Sequence, residues 1–210
     1  MAALPVRYRS LSVWALYAIG LAPGLWTFYL GVTANLGADP VRTFEHFLGL
    51  WALRFLCLTL LVTPTRDLLG ISLISYRRAL GLLAFWYVVA HFTVYLTLDR
   101  GMILSSIAGD LAKRPYIMLG MAGLIMLIPL ALTSNRWSIR RLGPRWIMLH
   151  RLVYVIAAAG VLHYALSLKS ITAEPAFYIA AVSLLLGYRL VRPRLMGWKR
   201  QRKARVSASA

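Results

Sequence analysis

The sequence predicts an all-α membrane protein, a six-transmembrane-helix bundle with both termini cytoplasmic. Three observations lead there. Of the 210 residues, 60% are apolar and only 14% are charged, whereas soluble domains run at roughly 45–50% and 25%; the mean hydropathy is +0.68. Six stretches are long enough to cross a hydrocarbon layer about 30 Å thick, for which a helix needs about 20 residues. The 24 Lys and Arg fall mainly in the gaps between those stretches, and they crowd one side.

The stretches are 11–31, 46–64, 79–99, 115–134, 146–168 and 172–191. The first follows Arg7 and Arg9, as the core of a signal peptide would. Its apolar run is too long for that role, and no small-residue cleavage pattern follows. It is read as a retained helix. The sixth is marked by the charge-free run 175–188.

Loop charge orients the bundle. One side carries Arg7 and Arg9, then Arg66, Arg77 and Arg78, then Arg136, Arg140, Arg141 and Arg145, then a tail of eight cations from Arg189 to Arg205. The other has Arg42, Arg100, Lys113, Arg114 and Lys169, so the count is seventeen against five. The heavier side is the cytoplasm. Topology therefore accounts for the net charge of +18, and nucleic-acid binding is not expected. Residues 1–192 form the membrane domain, and 193–210 form a basic cytoplasmic tail on the anionic inner leaflet.

Other chemistries are bounded by what is missing. Cys57 is the only cysteine, so disulfides and cysteine-ligated clusters lack partners within the chain. No G-x-G-x-x-G motif on a strand-to-helix turn offers a nicotinamide site. The connection 100–114 is the longest on the outer side and cannot hold a second domain. A soluble catalytic module belongs to another chain.

Ionisable residues within spans are expensive to insert and default to functional hypotheses. They are few: His46 and Arg54 in the second span, His91 in the third, and His150, Arg151 and His163 in the fifth. The third and fifth spans run in the same direction. His91 precedes Asp99 by eight residues, roughly 12 Å, and His163 precedes Lys169 by six, roughly 9 Å, at 1.5 Å per residue. Two imidazoles thus reach a common level in the outer half. His150 lies 13 residues before His163, about 20 Å lower.

Two facing imidazoles on separate helices can hold haem iron axially, and the apolar macrocycle suits a bundle interior. Arg54, Arg78 or Arg151 could meet its propionates, although Arg151 could equally snorkel to the inner interface. Zinc fits less well, because it wants three or four ligands at one depth and would have to recruit His46. At a helix end behind Glu45, His46 is read as an interfacial packing residue. An ideal helix sets His150 and His163 about 140° apart around its axis. Their joint use needs a bend, for which Gly160 is a candidate, or haems on different sides of the helix.

Several segments carry a resemblance. They are LGADP at 36–40, HFLGLWALRF at 46–55, RRALGL at 77–82, AHFTVYL at 90–96, RPYIMLG at 114–120, LGPRW at 142–146, LHRLVY at 149–154 and LHY at 162–164. With them the chain resembles the MsrQ or YedZ family, the haem-binding membrane subunit of the bacterial periplasmic methionine sulfoxide reductase system, with a ferric-reductase-like transmembrane domain. The resemblance implies a b-type haem subunit of the inner membrane. Electrons would come from membrane quinone, or by a flavin route with bound FMN. They would go to a separate periplasmic molybdopterin-containing subunit that reduces methionine sulfoxide in oxidised proteins.

The resemblance assigns the haem irons to His91, His163 and His150, one haem or two. Related domains place two histidines on each of two helices. Here Arg78 stands where the partner of His150 would lie, and arginine has no lone pair to offer iron. Arg77 and Arg78 are candidates for a propionate, a flavin phosphate or a quinone oxygen. Two other readings remain open: a stand-alone ferric or quinone reductase, and a non-redox transporter or assembly scaffold.

Overall fold

The computed structural model describes residues 6–168, 170 and 172–208; the side chains of Arg7, Arg9, Lys169 and of Lys199 onward, counted above for topology, lie outside the described residues. The helices are α1 (Val6–Val32), α2 (Pro40–Leu69), α3 (Arg77–Val94), α4 (Leu104–Lys113), α5 (Pro115–Leu132), α6 (Arg136–Leu142), α7 (Pro144–His150), α8 (Leu152–Ser167) and α9 (Ala173–Ala208). A 3-10 turn, Ile74–Tyr76, leads into α3, and a π turn, Tyr95–Asp99, extends it. No strand occurs among the described residues. Six segments are long and apolar enough to cross a membrane: Ser10–Val32, Pro40–Leu69, Ile74–Asp99, Pro115–Leu132, Pro144–Ser167 and Ala173–Trp198. The face where α1 begins is called the near face. The opposite, far face holds residues 33–39, 99–114, 168, 170 and 172.

Local chemistry sets the ends. Pro40 opens α2, and the Asp39 carboxylate accepts the Arg42 N–H at 3.2 Å, which satisfies a donor the helix cannot. The span therefore starts six residues before the apolar run read from sequence. Gly70, at φ 72°, closes it in the left-handed region, where its N–H reaches the Arg66 carbonyl, an end that favours glycine. Pro115 opens α5, and the Asn135 side chain caps α6 by accepting from Ser138 at 2.8 Å. The 100–114 connection, read as a loop, contains α4. That helix is only ten residues long, too short to register as a span.

Packing centres on α2 and α3, where Leu60, Val62 and Leu83 are fully buried. Most of α1 faces outward, with Trp14, Leu25 and Trp26 exposed, as expected of a helix solvated by lipid tails as apolar as itself. Its attachment to the core is specific. The Tyr87 hydroxyl donates to the Gly20 carbonyl at 2.8 Å and accepts the Gly24 N–H at 3.0 Å, so it bridges one rung of α1. Pro23 lies beside that rung, and a proline removes a donor and disturbs the ladder. Near the other end, Asp67 of α2 pairs with Arg66 and with Arg192 of α9 and accepts from Tyr188 at 3.2 Å. A charge buried in a bundle is kept paired in this way.

The fifth span is interrupted, and not where the sequence suggested. The helix runs unbroken through Gly160 and breaks instead at Arg151, between α7 and α8. There the Arg151 N–H bonds the Met148 carbonyl at 3.2 Å and the Tyr154 N–H bonds the Arg151 carbonyl at 3.0 Å. Both bonds span three residues, the tighter 3-10 spacing. Exchanging Tyr87 for Phe deletes both bonds to α1, and should lower stability by about 1–3 kcal/mol. Thermal unfolding in detergent measures it.

Candidate cofactor cavity

A cavity of about 620 Å³ lies between α2, α3, α5 and α8, within the roughly 300–1,000 Å³ of small-molecule and cofactor sites. Small residues create the recess: Gly49, Ala52, Ala84, Gly120, Gly123 and Gly160 border it. Toward the near face its lining is apolar, including Leu53, Leu56, Leu127 and Ile156. Toward the far face it turns polar, with Asp39, Arg42, Glu45, Asp99, Arg100 and Arg114.

His91 and His163 both line this cavity, and each is held the same way. His91 Nδ1 lies 2.8 Å from the Glu45 carbonyl of α2, and His163 Nδ1 lies 2.7 Å from the Tyr116 carbonyl of α5. A carbonyl can only accept, so both Nδ1 atoms carry hydrogen and the neutral rings keep a lone pair on Nε2. Four residues beyond each carbonyl stands a glycine. A Cβ at Gly49 would lie 3.2 Å from His91 Nδ1, and one at Gly120 would lie 2.9 Å from His163 Nδ1 and Cε1. Glycine lets each imidazole settle against the neighbouring helix backbone.

The ring centroids are 6.1 Å apart at 84°. An imidazole nitrogen sits about 2 Å from a first-row metal and its ring centre about 1 Å further back, so His91 and His163 at this spacing would be the residues to hold a group that binds two ring nitrogens. The cavity fits a large apolar plate whose polar edge faces one way. No cluster of three or more His, Cys, Asp or Glu suited to a metal occurs among the described residues, and His91 and His163 would offer two nitrogen donors. Glu45 Oε1 is 3.9 Å from His91 Nε2, and His46 borders the same cavity beside Tyr164, with ring centroids 5.6 Å apart.

The remaining residues singled out from sequence lie elsewhere. His150 is outside the cavity lining; it stacks on Trp146 at 3.9 Å, and its Nε2 lies 3.0 Å from Thr133 Oγ1. That hydroxyl donates to the Pro129 carbonyl at 2.6 Å, so it accepts from His150, and Nε2 carries the hydrogen. Arg54 donates to Tyr178 at 2.9 Å, pairs with Glu174 at 3.6 Å and lies over Trp51. It joins α2 to α9. Arg77 lies near enough to His150 and Arg189 to act on both electrostatically. Arg78 faces Tyr17 of α1, and Arg151 is exposed at the helix break. The arginines that do reach the cavity are Arg42, Arg100 and Arg114. Sequence reading spent them on topology, because a cation at a span end looks the same in either role.

Comparison with known proteins places the chain. The ferric reductase like transmembrane component family matches residues 48–161, which include His91 and His150. The protein-methionine-sulfoxide reductase heme-binding subunit MsrQ of Agrobacterium fabrum is 69% identical over 202 residues, 96% of this chain and 94% of that protein. The chain belongs to the MsrQ family. Proteins with the same name from Brucella anthropi and Rhizobium meliloti are 56% and 54% identical over 205 and 208 residues, covering 98% and 99% of this chain and 93% and 96% of theirs. The match to these relatives covers nearly the whole chain, beyond the ferric-reductase-like segment.

The glycine seats are testable. A methyl group at position 120 cannot coexist with the present His163 ring. Exchanging Gly120 for Ala should lift the imidazole off the Tyr116 carbonyl, and ¹⁵N shifts of the ring should show Nδ1 protonation no longer dominant. Exchanging Gly123, where an added Cβ meets nothing within 4 Å, should leave those shifts unchanged.

Proposed function

We propose that this chain is a transmembrane electron-transfer subunit that holds one b-type haem between His91 and His163. The observation that supports it is the pair of imidazoles in one cavity, 6.1 Å apart, each with Nδ1 against a backbone carbonyl. When bound, the haem supplies a one-electron couple, which the protein tunes through ligation, burial and hydrogen bonding. Glu45 and Tyr116, through their carbonyls, fix ring orientation and strengthen the Nε2 donors. Leu53, Leu56, Leu127 and Ile156 exclude water from the inner end. His150, bonded to Thr133, stays outside the grip.

On this reading the near face is cytoplasmic, as the loop charges indicate, and the membrane is the bacterial inner membrane. The donor is membrane quinone, or a flavin with FMN held near Arg77 and Arg78 at the near face. The acceptor is a periplasmic molybdopterin-containing methionine sulfoxide reductase that repairs oxidised proteins and docks on the far-face segments 33–39 and 100–114. The names of the relatives, subunits of a methionine-sulfoxide reductase, support that direction. The ferric-reductase-like match favours a second reading, a reductase of iron or quinone with no dedicated partner.

Spectroscopy tests the haem. Haem-replete membranes should yield a chain with a reducible b-type Soret and α band and one iron per chain. His91→Ala and His163→Ala should each abolish that signal, while His46→Ala and His150→Ala should leave most of it. A wild-type chain without the band is a scaffold, not a conduit. Co-purification with a molybdenum-containing partner supports the sulfoxide reductase assignment. Ferric reduction by the chain purified without any partner supports the second reading.

A further inference from the structure

We infer that Arg100 and Arg114, oriented together by the carboxylate of Asp110, grip the carboxylate edge of the macrocycle at the far end of the cavity. The inference rests on the haem reading above and adds the orientation of the plate and the residues that set it.

The cavity is polar at one end only. Glu45 stands level with His91; the other charged residues of the lining lie toward the far face, and the lining toward the near face is apolar. A porphyrin with two carboxylates on one edge fits such a cavity in one sense. Burying the carboxylates inward, without partners, costs several kcal/mol each. The far end must therefore supply their donors.

Two arginines there are built rather than merely present. Asp110 of α4 is buried, with its side chain 11% exposed, and each of its oxygens takes one arginine: Oδ2 lies 2.6 Å from Arg100 Nε, and Oδ1 lies 3.3 Å from Arg114 Nε. Tyr95 of the π turn donates to Oδ2 at 2.9 Å, and the Arg100 guanidinium lies over the Tyr95 ring. Asp110 approaches both arginines on the Nε side, and an arginine held on that side can present its terminal nitrogens as the flat fork that matches a carboxylate. Arg114 Nη1 reaches the Tyr116 hydroxyl at 3.4 Å, which ties it to the residue that seats His163. Asp99 also pairs with Arg100, at 3.2 Å. Burial opposes the Arg100 charge, but Asp99 and Asp110 outweigh it and hold its pKa above the ordinary arginine value. The cation persists at any working pH.

Asp110 is then a positioning residue, and α4 exists to deliver it. That accounts for a carboxylate being the one buried residue of this ten-residue helix.

The test compares haem with its dimethyl ester, in which both carboxylates are masked. The full-length chain is stripped of haem in detergent and titrated with each porphyrin, followed by the Soret band. Wild type should prefer the free acid by about tenfold or more, and the ratio should fall toward one when Arg100 and Arg114 are both replaced by Gln. Asp110→Asn should lower the ratio partway while the two-histidine spectrum is retained. Because the double variant may not fold, Arg114→Gln is read by itself, its side chain being 46% exposed. It should also lower the haem midpoint potential, since a cation beside the iron favours the reduced state. A wild type that binds acid and ester equally, or variants that keep the wild-type ratio and potential, overturns the assignment while leaving the haem reading intact. A wild type that binds neither porphyrin overturns both.

Discussion

One hydrogen bond fixes each imidazole, and the cavity depends on that pair. In both cases a histidine Nδ1 lies against a helix carbonyl, Glu45 on α2 and Tyr116 on α5. A carbonyl has two lone pairs, so it can serve its own helix and a foreign ring at once. The glycine four residues on, Gly49 or Gly120, removes the side chain that would cover the spot. A net contribution of about 0.5–1.5 kcal/mol per bond is modest. The effect on chemistry is larger, because the bond selects the tautomer and leaves Nε2 as the only donor. The two imidazoles thus stand on the third and fifth spans, while the second and fourth fix their rings.

The charged groups around this centre follow the economics of a bundle in lipid. Several within the spans are tied across helices: Arg54 to Glu174 and Tyr178, Asp67 to Arg192 and Tyr188. Arg189 donates to the Leu60 carbonyl at 2.7 Å. These ties hold α9 against α2 along most of its length. Where lipid cannot solvate a group, another helix must.

Much of this was legible in the sequence, and the illegible parts share a cause. The six spans show in hydropathy because each is a local property of about 20 residues. The common level of His91 and His163 follows from rise per residue alone. Which helix face meets which is non-local, so the pairing of each imidazole with a glycine could not be read from the sequence. The same holds for Arg54, whose partners lie more than a hundred residues away. Gly160 was misread for a different reason. Its missing side chain makes room in the cavity wall, whereas the turn at Arg151 needs no glycine because its φ of −68° and ψ of −20° are ordinary. Asp39 and Pro40 lengthen α2 beyond the apolar run that sequence shows, because a helix ends at its capping chemistry and not at its last hydrophobic residue.

The bridge between α1 and α3 bears on how the chain assembles. Gly20 and Gly24 are synthesised some sixty residues before Tyr87, so α1 enters the bilayer with that rung closed on itself. Only when the third span arrives can the phenol take up its place between them. Docking of the first helix therefore waits on the third span, whose phenol adds two bonds to α1.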